Sequence, residues 1–239
     1  MLDGATARTE TGCVHGVAWY ARHLADAIIV NSDLPPQDAL ARAIVQAADR
    51  HRMCDLEHPG TPSAAVAIVQ AWQDVLRYLV LGDVTIVADT RHGLQVVTDD
   101  RVSETATAER AVADALPYGS PLKAEALVRM KQAELAVRNV PGGFWIATSD
   151  PRVVKYALIG EFPLADVFRV ALLTDGAARA VKPLQIHDWG SLMELLASAG
   201  PEELIRQVRA AESEDPEATR WPRNKIHDDA TAVIAEFDR

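Results

Sequence analysis

The chain has 239 residues, of which 49% are hydrophobic and 24% charged, and it carries a formal net charge of −10. That length is enough for one sizeable core, and the composition is that of an ordinary globular protein, so disorder is not the default. The acidic balance repels a phosphate backbone and argues against nucleic acid as a partner, and no apolar run reaches the roughly 18 residues of a membrane span.

Apolar residues from Gly12 to Val30 recur at helical spacing (Val17, Ala21, Leu24, Ala25, Ile28) and predict a first amphipathic helix. A second follows Pro35-Pro36, and the stretch from His51 to Pro62 ends it. Between Ala64 and Thr98 the character changes. The runs Ala64–Ile68, Leu76–Leu81, Val84–Ala88 and Leu94–Val97, separated by polar or glycine punctuation, read as a meander of strands. Helical patterns return from Ser103 to Ala115 and from Ser120-Pro121 to about Arg138, with serine as cap and proline in the first turn.

Phe144–Ala147 and Val167–Leu173 read as further strands, and two helices flank Gly200-Pro201. The charge-mixed segment from Glu212 to Lys225 reads as an exposed loop and Ala230–Phe237 as a closing strand. Strands in a block with helices before and after do not alternate as a doubly wound sheet would. The expected class is α+β, with two antiparallel sheets and helices outside them, in a single domain over residues 1–239.

Three acidic motifs punctuate this pattern: Leu2-Asp3-Gly4-Ala5-Thr6, Leu173-Thr174-Asp175-Gly176-Ala177 and His227-Asp228-Asp229-Ala230-Thr231. Apolar runs beside them put carboxylates at strand ends, where a fold can aim several at one point. Converging carboxylates repel one another unless a cation lies between them, and a hard divalent ion with oxygen ligands is the economical solution.

In order along the chain these motifs, with Thr61-Pro62-Ser63-Ala64, Leu81-Gly82-Asp83 and Thr98-Asp99-Asp100-Arg101, resemble those of the metal-dependent protein phosphatases of the PP2C (PPM) type. Cys13-Val14-His15-Gly16 and the run from Arg138 to Trp145 are most similar to an actinobacterial-looking subgroup. The resemblance implies a four-layer αββα sandwich with two Mn²⁺ or Mg²⁺ ions at one end of the sheets. It implies that Asp3 bridges both ions, that the Gly4 carbonyl binds one, and that Asp175 and Asp228 hold the other. Asp83, with Asp175, matches the place where some bacterial members take a third ion. The implied activity is hydrolysis of phosphoserine or phosphothreonine in proteins, or of a small phosphate ester, by a metal-bridging hydroxide.

Three departures accompany the match. Family members carry a strand pair before the first aspartate-glycine, with a phosphate-holding arginine and an acidic residue; here only Met1 and Leu2 precede Asp3, so the chain reads as N-terminally truncated relative to the family. Ala5 stands where many eukaryotic members have a histidine, and Arg179 takes the place of a later aspartate. These losses support a second expectation, a weakly active or inactive phosphatase-like protein with a binding or regulatory role. A haloacid dehalogenase reading fares worse, because its nucleophilic aspartate would fall on Met1.

Two cysteines, Cys13 and Cys54, are too few for a disulfide scaffold and fit a reducing compartment. With no signal-peptide pattern at the N-terminus, the expected location is cytoplasmic, without a membrane partner. The spacing of Cys13, His15, Cys54 and His58 admits a soft-metal site, but buried thiols and partly buried histidines are the favoured reading.

Overall fold

A computed structural model describes residues 1–237. Its eight strands form two antiparallel sheets of four. The first contains β1 (Leu2–Gly4), β2 (Ala64–Trp72), β3 (Val75–Leu81) and β6 (Leu158–Pro163), in the order β1-β2-β3-β6. The second contains β4 (Thr85–Thr90), β5 (Gly93–Thr98), β7 (Val167–Leu173) and β8 (Ala232–Glu236), in the order β5-β4-β7-β8. Helices α1 (Val17–Val30) and α2 (Pro36–Asp49) cover the first sheet, while α6 (Trp189–Ala199) and α7 (Pro201–Glu214) cover the second. The α+β sandwich of two antiparallel sheets with helices outside is therefore the observed architecture.

Side-chain alternation along the strands builds three apolar layers. On β2 and β3, Ala64, Val66, Leu79 and Leu81 face outward against Leu24, Leu40 and Ile44 of the helices. The intervening Ala65, Ala67, Leu76 and Val80 face inward, against Ile86, Ala88 and Val170 of the opposite sheet. On the far side, Val87, Ala171 and Leu173 turn outward to Leu192, Leu196, Leu204 and Val208. Because these strands are buried on both faces, they read as near-continuous apolar runs.

Several boundaries differ from the sequence reading. The first helix begins at Val17 rather than Gly12, because Gly12 (φ +65°) and Gly16 (φ +80°) sit in the left-handed region and break the helical path. Ahead of α3 (Thr107–Asp114), Asp100–Val102 forms a separate 3-10 turn. Ser120 caps α4 (Pro121–Ala136) by accepting from the Lys123 amide at 3.2 Å. Phe144–Ala147 is buried yet is not a strand. Ala147 exchanges two backbone hydrogen bonds with Ala64 (3.0 and 3.1 Å), but the Ile146 amide donates to the Asn139 side chain, which ends any ladder. Strand β6 has no counterpart in the sequence reading; as an edge strand paired only with β3 it keeps Gly160, Glu161 and Pro163.

Leu81 is fully buried between β2 and the α1–α2 layer. Leu81→Ala should therefore cost about 2–5 kcal/mol in denaturant unfolding with an unchanged m-value, whereas Leu158→Ala on the exposed face of β6 should stay within about 0.5 kcal/mol.

Candidate metal centre

Strand register explains how an aspartate comes to face the layer between the sheets. Leu2 lies opposite Val66 and Asp3 opposite Ala65, and directly paired residues share a face, so Leu2 joins the helix side and Asp3 the inner side. The β3–β4 turn closes on the same spot. Gly82 (φ +87°) presses against Ala65, where a Cβ would come within 2.8 Å of the alanine Cβ, and this places Asp83 at the end of the inner layer.

The second sheet supplies the remaining carboxylates. Strand β7 ends at Leu173, paired with Ala232 of β8, and the chain turns at once into the single helical turn α5 (Asp175–Ala178). The Thr174 amide donates to the Thr231 carbonyl (3.0 Å) and the Thr231 amide to the Thr174 hydroxyl (2.9 Å), which ties the entry to β8 to the exit from β7. The segment carrying Asp228 packs so closely on α5 that a Cβ on Gly176 would lie 2.3 Å from the Asp229 carbonyl. Glycine is the residue that fits.

Asp3, Gly4, Asp83, Asp175 and Asp228 thus all line one cleft of about 630 Å³ at the end of the sandwich. Burial, followed by the Asp175 charge and a hydrogen bond to its carboxyl, pushes Asp3 up to about 8, with smaller contributions from Asp83 and Asp228. Burial and the Asp175 charge likewise raise Asp83 to about 7. Asp175 is also raised, by burial first and by Asp228 second. Without a cation, this end of the molecule carries carboxyls that cannot all ionise comfortably. The donor set is oxygen only, which suits Mg²⁺ or Mn²⁺ and not a soft metal. The four are less tightly drawn than the ligands of a single ion, since among the described residues no three bring oxygens within 4.8 Å of one another.

Asp228 differs from the others. Its carboxylate pairs with Arg179 at 3.0 Å and with Lys225, and the Arg209 guanidinium donates to its backbone carbonyl. Arg179 also pairs with Glu212 at 2.6 Å, and Glu212, fully buried, further accepts from Arg209 (2.6 Å) and His227 (2.8 Å). Burial opposes the Glu212 charge, but the bonds from His227, Arg209 and Arg179 together hold its carboxyl below the usual range. Nearby, buried Asp215 receives Arg223 at 2.7 Å, and Arg223 reaches the Glu212 carbonyl at 2.9 Å.

The segment expected to be an exposed loop is therefore anchored by buried charges. Composition reveals the charges but not their pairing, and a paired charge can be buried where a free one cannot. Arg179, Arg223 and Lys225 are the members of this network that line the cleft.

Asp99 and Asp100 lie nearby without joining the carboxylate group. Asp99 is buried against Arg101, whose Nε donates at 2.7 Å, and it caps the 3-10 turn through the Arg101 amide.

A profile of the protein phosphatase 2C family matches residues 1–211. The chain belongs to the protein phosphatase 2C family. Its fold is similar to that of the serine-threonine phosphatase 2C from Toxoplasma gondii, at 12% identity, covering 99% of this chain and 83% of that one, with a TM-score of 0.53. It is also similar to the Mycobacterium tuberculosis serine/threonine phosphatase PstP/Ppp, at 14% identity, covering 100% and 87%, with a TM-score of 0.53. The catalytic domain of PstP in complex with two manganese ions aligns at 14% identity over 98% and 85%, with a TM-score of 0.52. No curated protein matches the chain in sequence. Family and fold together support a metal-dependent serine/threonine phosphatase. No helix among the described residues is long and apolar enough to cross a membrane.

The raised carboxyls make a prediction for this phosphatase 2C chain in its metal-free form. An aspartate whose folded pKa lies above its unfolded value of 3.8 contributes stability that is complete below pH 4 and is lost as pH rises through 7 to 8. In chelator the wild type should accordingly show a lower Tm at pH 8.5 than Asp3→Asn under the same conditions, and the gap should narrow as pH falls and close by about pH 4. Mn²⁺ should raise the Tm of the wild type at pH 8.5 and leave that of Asp3→Asn nearly unchanged.

Proposed function

We propose that residues 1–239 form a single phosphatase domain that hydrolyses phosphoserine or phosphothreonine in proteins, or a small phosphate ester, with the aid of Mn²⁺ or Mg²⁺. The observation that carries this reading is the convergence of Asp3 and Asp83 from one sheet end with Asp175 and Asp228 from the other, in a single cleft. Asp3 and the Gly4 carbonyl are assigned to one ion, with Asp3 shared between the two. Asp175 and Asp228 are assigned to the second ion, and Asp83 with Asp175 to a third. When bound, such ions supply a water that ionises near neutral pH and a Lewis acid for the phosphoryl oxygens.

The chain's own residues position these ligands. Arg179, fixed by Glu212, aims the Asp228 carboxylate, and the Thr174–Thr231 hydrogen bonds hold Asp175 at the strand end. Arg8 lines the same cleft while its Nη2 donates to the Asn224 carbonyl at 3.0 Å, and the exposed residue Lys182 lines it too. Both offer positive charge to a phosphate dianion in a protein whose net charge is negative. No protein nucleophile enters this scheme.

One observation favours a second reading, a phosphatase-like protein that binds a phosphorylated partner without turnover. Arg179 and Lys225 already neutralise Asp228, so one of the proposed ligands is satisfied without an ion.

Turnover of p-nitrophenyl phosphate separates the two. The enzyme reading expects Mn²⁺-dependent hydrolysis that Asp175→Asn lowers by about 100-fold or more, since even outer-shell partners of metal ligands are worth 10–100-fold, with cooperative thermal unfolding retained. Mn²⁺ binding by calorimetry without turnover would favour the binding reading. Turnover unaffected by Asp175→Asn would place the chemistry elsewhere.

A further inference from the structure

The segment ahead of α1 and the loop after α2 meet beside the first sheet. The Asp55 amide donates to the Gly12 carbonyl at 2.8 Å, and Gly12 packs so tightly that a Cβ there would lie 2.6 Å from the His58 Cβ. This contact brings Cys13 and Cys54, 41 residues apart in sequence, to an Sγ–Sγ distance of 3.1 Å. His51, just beyond the end of α2, completes a group. One of its ring nitrogens and the two sulfurs lie within 4.8 Å of one another, the only such set of three His, Cys, Asp or Glu side chains among the described residues.

His51 is the observation that separates this cluster from a chance pair of thiols. The ring is 2% exposed. Its Nδ1 lies 3.0 Å from the Ala47 carbonyl, which can only accept, so Nδ1 carries the proton and Nε2 presents a lone pair. That Nε2 is buried with no hydrogen-bond partner. Leaving a buried acceptor unsatisfied costs about 1–3 kcal/mol, and a sequence would not be expected to retain that cost without return. An imidazole fixed by a backbone carbonyl through one nitrogen, with the other nitrogen free, is the arrangement in which metal-bound histidines are held.

We propose that Cys13, Cys54 and His51 form a zinc site, separate from the carboxylate cleft. Two thiolates and one imidazole are a soft donor set that selects Zn²⁺ over Mn²⁺ or Mg²⁺. Tetrahedral zinc with Zn–S bonds of about 2.3 Å holds two sulfurs about 3.8 Å apart, so the thiols need to part by less than about 1 Å. Binding releases a proton from each thiol, and both cysteines are half-buried, which leaves a path for the ion. The His15 ring packs close by, its centroid 5.6 Å from that of His51. Zinc here cross-links the segment leaving Asp3 and Gly4 to the loop after α2. The site sharpens the sequence reading, which considered Cys13, His15, Cys54 and His58 and favoured unliganded side chains; His51, not His58, faces the sulfurs.

The test is a cobalt titration of the full chain, reduced and stripped of metal with chelator. One equivalent of Co²⁺ should produce a thiolate-to-cobalt charge-transfer band in the near ultraviolet and the intense visible bands of four-coordinate cobalt. Stoichiometric Zn²⁺ should abolish both. Cobalt held by carboxylates gives no thiolate band, so the result does not depend on the aspartate centre. Cys13→Ser and Cys54→Ser should each lose the band, and Zn²⁺ should raise the Tm of the stripped wild type but of neither variant. A reduced, cooperatively unfolding wild type without the charge-transfer band would overturn the proposal. So would a purified protein two hydrogens lighter than its reduced mass that takes up no zinc after reduction, which would mark the pair as a covalent staple.

Discussion

Like-charge repulsion at one end of the sandwich is the constraint on which the site's construction turns. Asp3, Asp83 and Asp175 are drawn together by strand register, by the Gly82 turn and by the threonine pairing of β7 with β8, and each carboxyl is pushed up as a result. Apolar layering drives this assembly, and nothing local to the aspartates does. The three buried clusters, two between helices and sheets and one between the sheets, fix where the strand ends fall, and the carboxylates go where their strands take them. A hard divalent cation turns that repulsion into attraction.

The molecule treats its fourth carboxylate in another way. Asp228 is steered by Arg179, which is itself fixed by fully buried Glu212, and Glu212 gathers Arg209 and His227 as well. Buried ion pairs add little net stability, because desolvation offsets most of their Coulomb attraction, but they set geometry sharply. Here the geometry concerns an irregular segment between α7 and β8, where no ladder of backbone hydrogen bonds could hold a side chain in place. The network supplies that rigidity.

Much of the fold was legible because its central strands are buried on both faces and its helices are bounded by proline and glycine: Pro36, Pro121 and the Gly200-Pro201 junction all mark observed ends. Strand β6 escaped notice because an edge strand has little apolar demand, and Phe144–Ala147 misled because burial without a ladder resembles a strand in sequence. The acidic motifs were legible as a group through their order along the chain. The role of Arg179 and Glu212 was not, since charge pairing across 33 positions leaves no periodic trace. His51 was invisible for a related reason: only the fold shows which nitrogen is satisfied and which is left over.

Membership in the phosphatase 2C family sets the expectation of two metal ions, and the four aspartates are where this chain would hold them. Anomalous diffraction from crystals grown with Mn²⁺ addresses that claim most directly. The account predicts manganese peaks in the cleft with Asp3 between two ions and with Asp175 and Asp228 on one of them. A cleft without manganese, with Asp228 still paired to Arg179 and Lys225 and Asp3 still bonded to Asp175, would contradict it.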